Sequence, residues 1–425
     1  MQEGLQTRFT IHQILKELKT SSLGFNEVFE EKIKNKSFSI SDKKLIYTVV
    51  LNAMRNSIYV DTIISKLSNK KEELSDSYFL LLSAITQLLI LEFKDFAVVN
   101  STVELTKHKR IKAPTNFING ILRNIIRNKN NLLKINIQFS KLPSWFINRV
   151  SWTEQQKKDF IKTIRKEPDL HIVYKNKIDF KRINYNFIKT TDYSIAIKNK
   201  NLIENIAGYN EGLWWVQDFS AMLPIYLLNN IKNKKVADLC AAPGGKSFQL
   251  ITNGAIVTAF EKNSRKIDLM KKNFQRLKLN CNIINMDVLK IRNKKKFDFV
   301  ILDAPCSSIG TIRRHPEIIF RSRSPNFIKI TSLQKNLLNK AKNLLTKNGI
   351  LMYMICSFFH EEGKNIIEKF LDKNKNFSLQ KFSINKINNI NSYIDKNGFY
   401  YVLPNKLKSK VLVDGFFAAK LKKND

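Results

Sequence analysis

Twelve residues near the middle of the chain, Val236–Ser247, read VADLCAAPGGKS and limit its fold more than any other stretch. An apolar run turns abruptly into small residues with Pro243, Gly244 and Gly245, and Lys246, Ser247 and an amphipathic FQLI follow. Strand, glycine turn and helix N-terminus in that order open a nucleotide-binding α/β unit. The glycines admit a ligand close to the backbone, and the helix start offers unpaired N–H groups. Asp238 places a carboxylate at the end of that strand. A P-loop would need glycine where Cys240 stands, and a dinucleotide fingerprint would need G-x-G-x-x-G, which is absent. A loop for another adenosine ligand and an ordinary αβ turn both remain open.

From Trp214 onward the pattern repeats. Strands are predicted at AIVTAFE (255–261), CNIINMD (281–287), FDFVILDAPC (297–306) and GILMYMIC (349–356), with helices between them at Arg265–Leu277 and Ile328–Leu345. Alternation of this kind implies a Rossmann-like α/β domain over 216–425, a doubly wound, mostly parallel sheet with right-handed crossovers. The front differs. Residues 1–113 contain no proline and only Gly4 and Gly24, and apolar residues recur at helical spacing in Phe9–Leu18, Leu45–Leu67, Tyr78–Phe93 and Val98–Thr106. Asn26, Ser41 and Ser75 are the expected N-caps, and Asn116–Arg127 is the last helix after Pro114. An all-α domain is expected over 1–130. A small α+β connecting subdomain is expected over 131–215, with a helix from Ser144 to about Lys166 and strands at 170–174 and 193–197.

Charge narrows the partners. The 73 Lys and Arg against 36 Asp and Glu leave +37, which suits a polyanion such as RNA, although abundant Lys, Asn, Ile and Phe also fit an A+T-rich coding bias. From 105 to 134 the charges are all basic: Lys107, Lys109, Arg110, Lys112, Arg123, Arg127, Lys129 and Lys134. A phosphate-contacting surface accounts for such single-sign clustering better than a plain solvated face. The four cysteines form no C-x-x-C pair, so neither a metal site nor a disulfide framework is indicated, and a cytoplasmic protein with reduced thiols is expected. The N-terminus lacks a signal peptide's apolar core. The apolar run Tyr78–Phe93 is shorter than the roughly 20 residues of a membrane span, so a buried core helix is expected there and no membrane partner.

In a doubly wound sheet ligands lie at the carboxyl ends of the strands, and here those ends carry Asp238, Glu261, Asp287, Asp303 with Cys306, and Cys356. Glu261, after the second strand, suits the two ribose hydroxyls of an adenosine ligand, and Asp287 is placed to meet the adenine. With the glycine loop, this row of acids favours S-adenosylmethionine (SAM). Asp303-Ala304-Pro305-Cys306 bears on the chemistry, because adenine-amine methyltransferases carry an aromatic residue where Cys306 stands. A thiol points instead to covalent catalysis. Carbon 5 of a pyrimidine is a poor nucleophile until something adds to carbon 6, and a thiolate is suited to that addition. Cys356 precedes an expected helix, Phe358–Leu371, whose N-terminus would lower a thiol pKa. Which cysteine attacks is not decided by these residues.

The motifs DLCAAPGGKS, LDAPCSSIGTIRRHPEI and ICSFFHEEG closely resemble those of the RNA cytosine-5 methyltransferases. The likeness extends over nearly the whole chain. It includes WVQDFSA, the ending DGFFAAKL and an all-α front similar to the NusB RNA-binding fold, notably at NFINGILRN. Within that family, a NusB-like front marks the enzymes of small-subunit (16S) ribosomal RNA. The resemblance implies SAM as cofactor, held by Cys240, Ala241, Ala242, Pro243, Gly244, Gly245 and Lys246, with Glu261, Asp287 and Asp303 completing the site. It implies Cys356 as the nucleophile, Cys306 as an aid to product release, and Asp303 and Lys246 beside the target base. Arg313, Arg314, Arg321 and Arg323 are expected to hold RNA phosphates, making 313–323 a second basic surface. Three positions depart from the family pattern: Ile355 replaces a usual Thr, Gly363 a common Asn, and Glu261 a frequent Asp. The same reaction on tRNA, or an RNA-binding assembly factor that has lost catalysis, are the alternatives.

Overall fold

The computed structural model describes residues 3–68, 74–180, 183, 185–198, 203–292, 296–382, 393–404 and 411–424. It forms two compact units, Met1–Lys166 with Ile312–Pro325, and Glu167–Thr311 with Asn326–Asp425. The connecting stretch expected at 131–215 is therefore divided, its α-helices going to the first unit and its strands to the second.

The first unit is helical. Its chain runs through α1 (Glu3–Thr20), α2 (Phe25–Ile33), α3 (Ile40–Arg55), α4 (Ser57–Leu67), α5 (Asp76–Leu89), α6 (Asp95–Thr106) and α7 (Thr115–Arg127). Three shorter helices follow: α8 (Lys129–Leu133), α9 (Ser144–Ile147) and α10 (Glu154–Ile164). In α5 every residue except Ser77 is buried, as expected for a helix apolar on all sides, and it packs against α1, α3, α4, α6 and α7. Ser75 caps it by accepting from the Tyr78 N–H at 3.2 Å. The other two expected caps are displaced. α2 starts one residue before Asn26 with Gly24 at its N-cap, and Ser39 rather than Ser41 caps α3. The single helix expected over Leu45–Leu67 breaks at Asn56, whose side chain donates back to the Asn52 carbonyl and accepts from Arg165 Nε at 2.7 Å. The helix expected from Ser144 to Lys166 is likewise two, because Thr153 and Gln156 form a capping box that starts α10 afresh.

Ile312–Pro325 belongs to this unit despite its place in the chain. The Arg313 carbonyl accepts from Arg55 Nη2 at 3.0 Å, and Glu317 accepts from the Phe25 N–H at 3.3 Å. Phe320, in the short helix α14 (Glu317–Phe320), joins the apolar core of the bundle.

The second unit holds two sheets. A small antiparallel sheet has the order β2-β3-β1-β4, with β1 Leu170–Tyr174, β2 Ile188–Thr191, β3 Ser194–Ile197 and β4 Trp214–Val216. After α11 (Phe219–Tyr226), a larger sheet is built from β5 (Lys235–Leu239), β6 (Ile256–Glu261), β7 (Asn282–Asn285), β8 (Phe297–Asp303), β9 (Leu345–Ile355), β10 (Phe377–Gln380), β11 (Tyr400–Val402) and β12 (Phe416–Lys423). Its order is β10-β12-β9-β8-β5-β6-β7, with β11 also paired to β12. β5 to β9 are parallel, whereas β12 runs antiparallel to β9 and β10 antiparallel to β12. Helices α12 (Gly245–Thr252), α13 (Ser264–Leu277), α15 (Phe327–Lys342) and α16 (Lys364–Lys373) connect the strands. The expected doubly wound, mostly parallel sheet is present. Chain order reverses between β5 and β8, and the carboxyl ends at that switch point converge on one site. Among the described residues no helix is long and apolar enough to cross a membrane.

Candidate active site

At the end of β5 the backbone turns through Cys240 at φ 60, and Gly244 stands at φ +110 before α12. A Cβ on Gly244 would come within 2.5 Å of the Phe248 ring, so the turn admits only glycine without a shift. Asp238, one residue before the end of β5, is fully buried. Its Oδ2 accepts from Ser247 Oγ at 2.5 Å, and Oδ1 has no hydrogen-bond partner among the described residues. Burial pushes its carboxyl up to about 7. Glu261 closes β6 and accepts from the Lys262 and Asn263 N–H groups, both at 2.9 Å. Asp287, just past β7, accepts from the Leu289 N–H at 2.9 Å. The Met286 N–H donates to the Glu261 carbonyl, which brings these two strand ends side by side.

On the other side of β5, Lys246 Nζ and Asp303 Oδ2 form an ion pair at 2.5 Å. The lysine side chain is 12% exposed and the aspartate 29%, so the carboxylate is the more open member. Burial is the largest single influence on the Lys246 ammonium and lowers it, but the charge and hydrogen bond of Asp303 together with Asp238 and Cys356 outweigh it, and the net direction is upward. Three residues beyond Asp303, Cys306 Sγ lies 3.2 Å from Cys356 Sγ, and Ser308 Oγ is 3.5 Å from Cys356. The hydrogen bond from Cys306 is the largest influence on Cys356 and holds it below an ordinary thiol, while the same contact and burial raise Cys306 well above one. The two sulfurs are thus unequal, with Cys356 the more acidic of the pair. The helix expected to begin at Phe358 begins at Lys364, so a thiol neighbour, rather than a helix N-terminus, lowers Cys356.

Each residue expected at the site lies at the carboxyl edge of the larger sheet or in the loop after β5. Glu362 also belongs to the site, a position to which the motif reading gives no role. It is buried and accepts from both Ser307 and Ser357, the residues that follow the two cysteines. The repeated Cys-Ser pair after β8 and β9 was the signal available in the sequence. Two of the three departures also find a physical setting. Ile355 is fully buried in the core, and a Cβ on Gly363 would stand 2.8 Å from the Phe417 ring.

The basic stretches fare unequally. Of the eight basic residues between 105 and 134, all but Lys129 are exposed, and Lys109 and Arg110 line a depression of about 490 Å³ with Lys32 and Lys36. Arg313, by contrast, is 1% exposed, and Arg321 donates to the Leu23 carbonyl. Only Arg323 of the four arginines is exposed. The expected phosphate surface at 313–323 is thereby corrected for Arg313: the segment turns inward to hold the helical unit together.

Residues 225–422 match the family described as 16S rRNA methyltransferase RsmB/F, and residues 5–127 match the NusB family. A probable ribosomal RNA small subunit methyltransferase B of Coxiella burnetii is 26% identical over 421 residues, covering 90% of this chain and 98% of the relative. The ribosomal RNA small subunit methyltransferase B of Photorhabdus laumondii is 29% identical, covering 80% and 84%. The crystal structure of PH0851 shares the fold, with a TM-score of 0.72 at 20% identity over 99% of both chains. One family match thus spans the glycine loop and both cysteines and the other spans the helical front, so the chain joins a segment similar to the 16S rRNA methyltransferase RsmB/F family to a front similar to the NusB family.

Proposed function

We propose that the protein transfers a methyl group from SAM to carbon 5 of a cytosine in small-subunit (16S) ribosomal RNA, through a transient bond between Cys356 and carbon 6 of the base. The observation that carries this reading is the pair of unequal thiols, 3.2 Å apart beside the Lys246–Asp303 ion pair. The Cys356 thiolate adds to carbon 6, which makes carbon 5 electron-rich enough to take the methyl group. Carbon 5 then loses its proton, the electrons of that C–H bond restore the 5,6 double bond, and Cys356 leaves as thiolate. Cys306 keeps its proton and donates to the departing sulfur, which is how it assists release. Asp303 meets the polar edge of the base, held in place by Lys246.

The residues fit SAM. Gly244 leaves a cradle that any Cβ would fill, and Glu261 and Asp287 stand together at the next two strand ends. Cys240 to Lys246 would wrap the ligand, Glu261 would hold its ribose and Asp287 its adenine, beside the Asp238 oxygen that has no partner among the described residues. SAM supplies, when bound, a methyl group on a positively charged sulfur. A base stacked in a helix cannot reach this edge, so a single-stranded or flipped cytosine is the substrate. The exposed basic residues from 105 to 134 give the phosphates a surface.

The test is transfer of labelled methyl from SAM to protein-free 16S rRNA and, in parallel, to tRNA, by wild type and Cys356→Ala. Label at cytosine carbon 5 of 16S rRNA that falls to background in the variant is expected. Transfer to tRNA alone, label on an exocyclic amine, or activity that survives in the variant would overturn the reading.

A further inference from the structure

Glu362 joins the two cysteine loops. Its Oε1 accepts from the Ser307 N–H at 2.8 Å and from Gln334 Nε2 at 3.2 Å, and its Oε2 accepts from Ser307 Oγ at 2.5 Å and Ser357 Oγ at 2.6 Å. Gln334, on α15, also donates to the Pro305 carbonyl at 3.0 Å, and the Tyr353 hydroxyl donates to the Glu362 carbonyl at 2.7 Å. Ser307 directly follows Cys306 and Ser357 directly follows Cys356, so one carboxylate grips the residue next to each sulfur. All four donors to it are neutral. Burying an acid among neutral donors is costly unless its oxygens are satisfied, and here both accept two bonds.

We propose that Glu362 is the positioning residue of the two-cysteine site: by bridging Ser307 and Ser357 it sets the separation between the Cys306 and Cys356 sulfurs. This rests on the reading that both thiols take part in one reaction. The bridge is needed because the two cysteines end different strands, and the peptide pairing of β8 with β9 has ended at Asp303 and Met354. Beyond that point the chains continue as loops, tied near Cys356 by a backbone bond from the Gly310 N–H to the Cys356 carbonyl at 3.0 Å, and the Glu362 bonds add the tie at the residues next to each sulfur.

Two variants separate reach from charge. Glu362→Asp keeps the charge but is about 1.5 Å shorter, so it cannot span both loops. Glu362→Gln keeps the length. Its carbonyl can still accept from Ser307 N–H and Gln334, and its amide can donate to the two hydroxyls, which rotate to accept. The readouts are kcat for methyl transfer and, without RNA, the rate at which diamide joins Cys306 to Cys356. In that oxidation two thiols lose two electrons and two protons to the diamide and gain an S–S bond. Melting temperature and SAM binding verify that each variant is folded.

For Glu362→Asp, kcat is expected to fall about 100-fold, the loss that a misplacement of about 1 Å brings, and disulfide formation to slow in step. Glu362→Gln is expected to stay within about tenfold of wild type in both. Wild-type rates in Glu362→Asp would overturn the proposal, as would a Gln variant that loses kcat while its disulfide still forms at the wild-type rate. The diamide rate reports sulfur spacing whether or not Cys356 is the nucleophile, so failure of the catalytic reading is told apart by the Cys356→Ala assay.

Discussion

At the scale of single residues, the largest influence that lowers Cys356 is the neighbouring thiol of Cys306. Removing that thiol by Cys306→Ala leaves burial and the Asp303 charge, both of which favour the neutral thiol, against the weaker help of Ser308 and Lys246. The direction follows. In wild type the reactive thiolate is populated at pH values below the ordinary thiol value of 9.0, and in Cys306→Ala the population moves up in pH. Iodoacetamide alkylation of Cys356, followed by mass spectrometry from pH 6 to 10, is expected to show a midpoint below 9.0 in wild type and a higher one in the variant. An unmoved midpoint would show that Cys306 is not the group that lowers it. Both sulfurs and every strand-end acid were legible in the sequence, because each closes a short apolar run. The source of the shift was not, since the start of α16 depends on the turn around Glu362 and Gly363 rather than on helical periodicity.

At the scale of elements, the junction from β5 to α12 depends on Gly244. Alanine there would need a positive φ that L residues rarely adopt and a Cβ 2.5 Å from Phe248. Strain of this sort costs about 1–3 kcal/mol. Gly244→Ala is expected to lower thermal stability accordingly and to weaken SAM binding measured by calorimetry at a temperature where the variant is folded. Unchanged SAM affinity would mean that the loop does not cradle the ligand. The parallel strands were readable because strands buried on both faces become continuous apolar runs. Where local polar bonds outweigh periodicity the reading failed, as at Asn56, which splits α3 from α4, and at Thr153, which restarts the chain as α10.

At the scale of the whole molecule, a helical unit with an exposed basic stretch accompanies a catalytic unit with paired thiols. The return of Ile312–Pro325 to the helical unit could not be read from sequence. The bonds that hold it join residues far apart in the chain, Arg55 to Arg313 and Phe25 to Glu317, and the same composition reads equally well as an RNA-facing loop. The full chain with full-length RNA also allows the most direct test of the covalent step. A 16S rRNA transcript made with 5-fluorocytidine cannot release a proton from carbon 5, so an enzyme bonded to carbon 6 stays bonded after methyl transfer. Denaturing electrophoresis with SAM, followed by mass spectrometry of the RNA-linked peptide, is expected to find Cys356 as the attached residue and no adduct from Cys356→Ala. Attachment through Cys306, or methylation of ordinary 16S rRNA by an enzyme that forms no adduct on the fluorinated one, would contradict it.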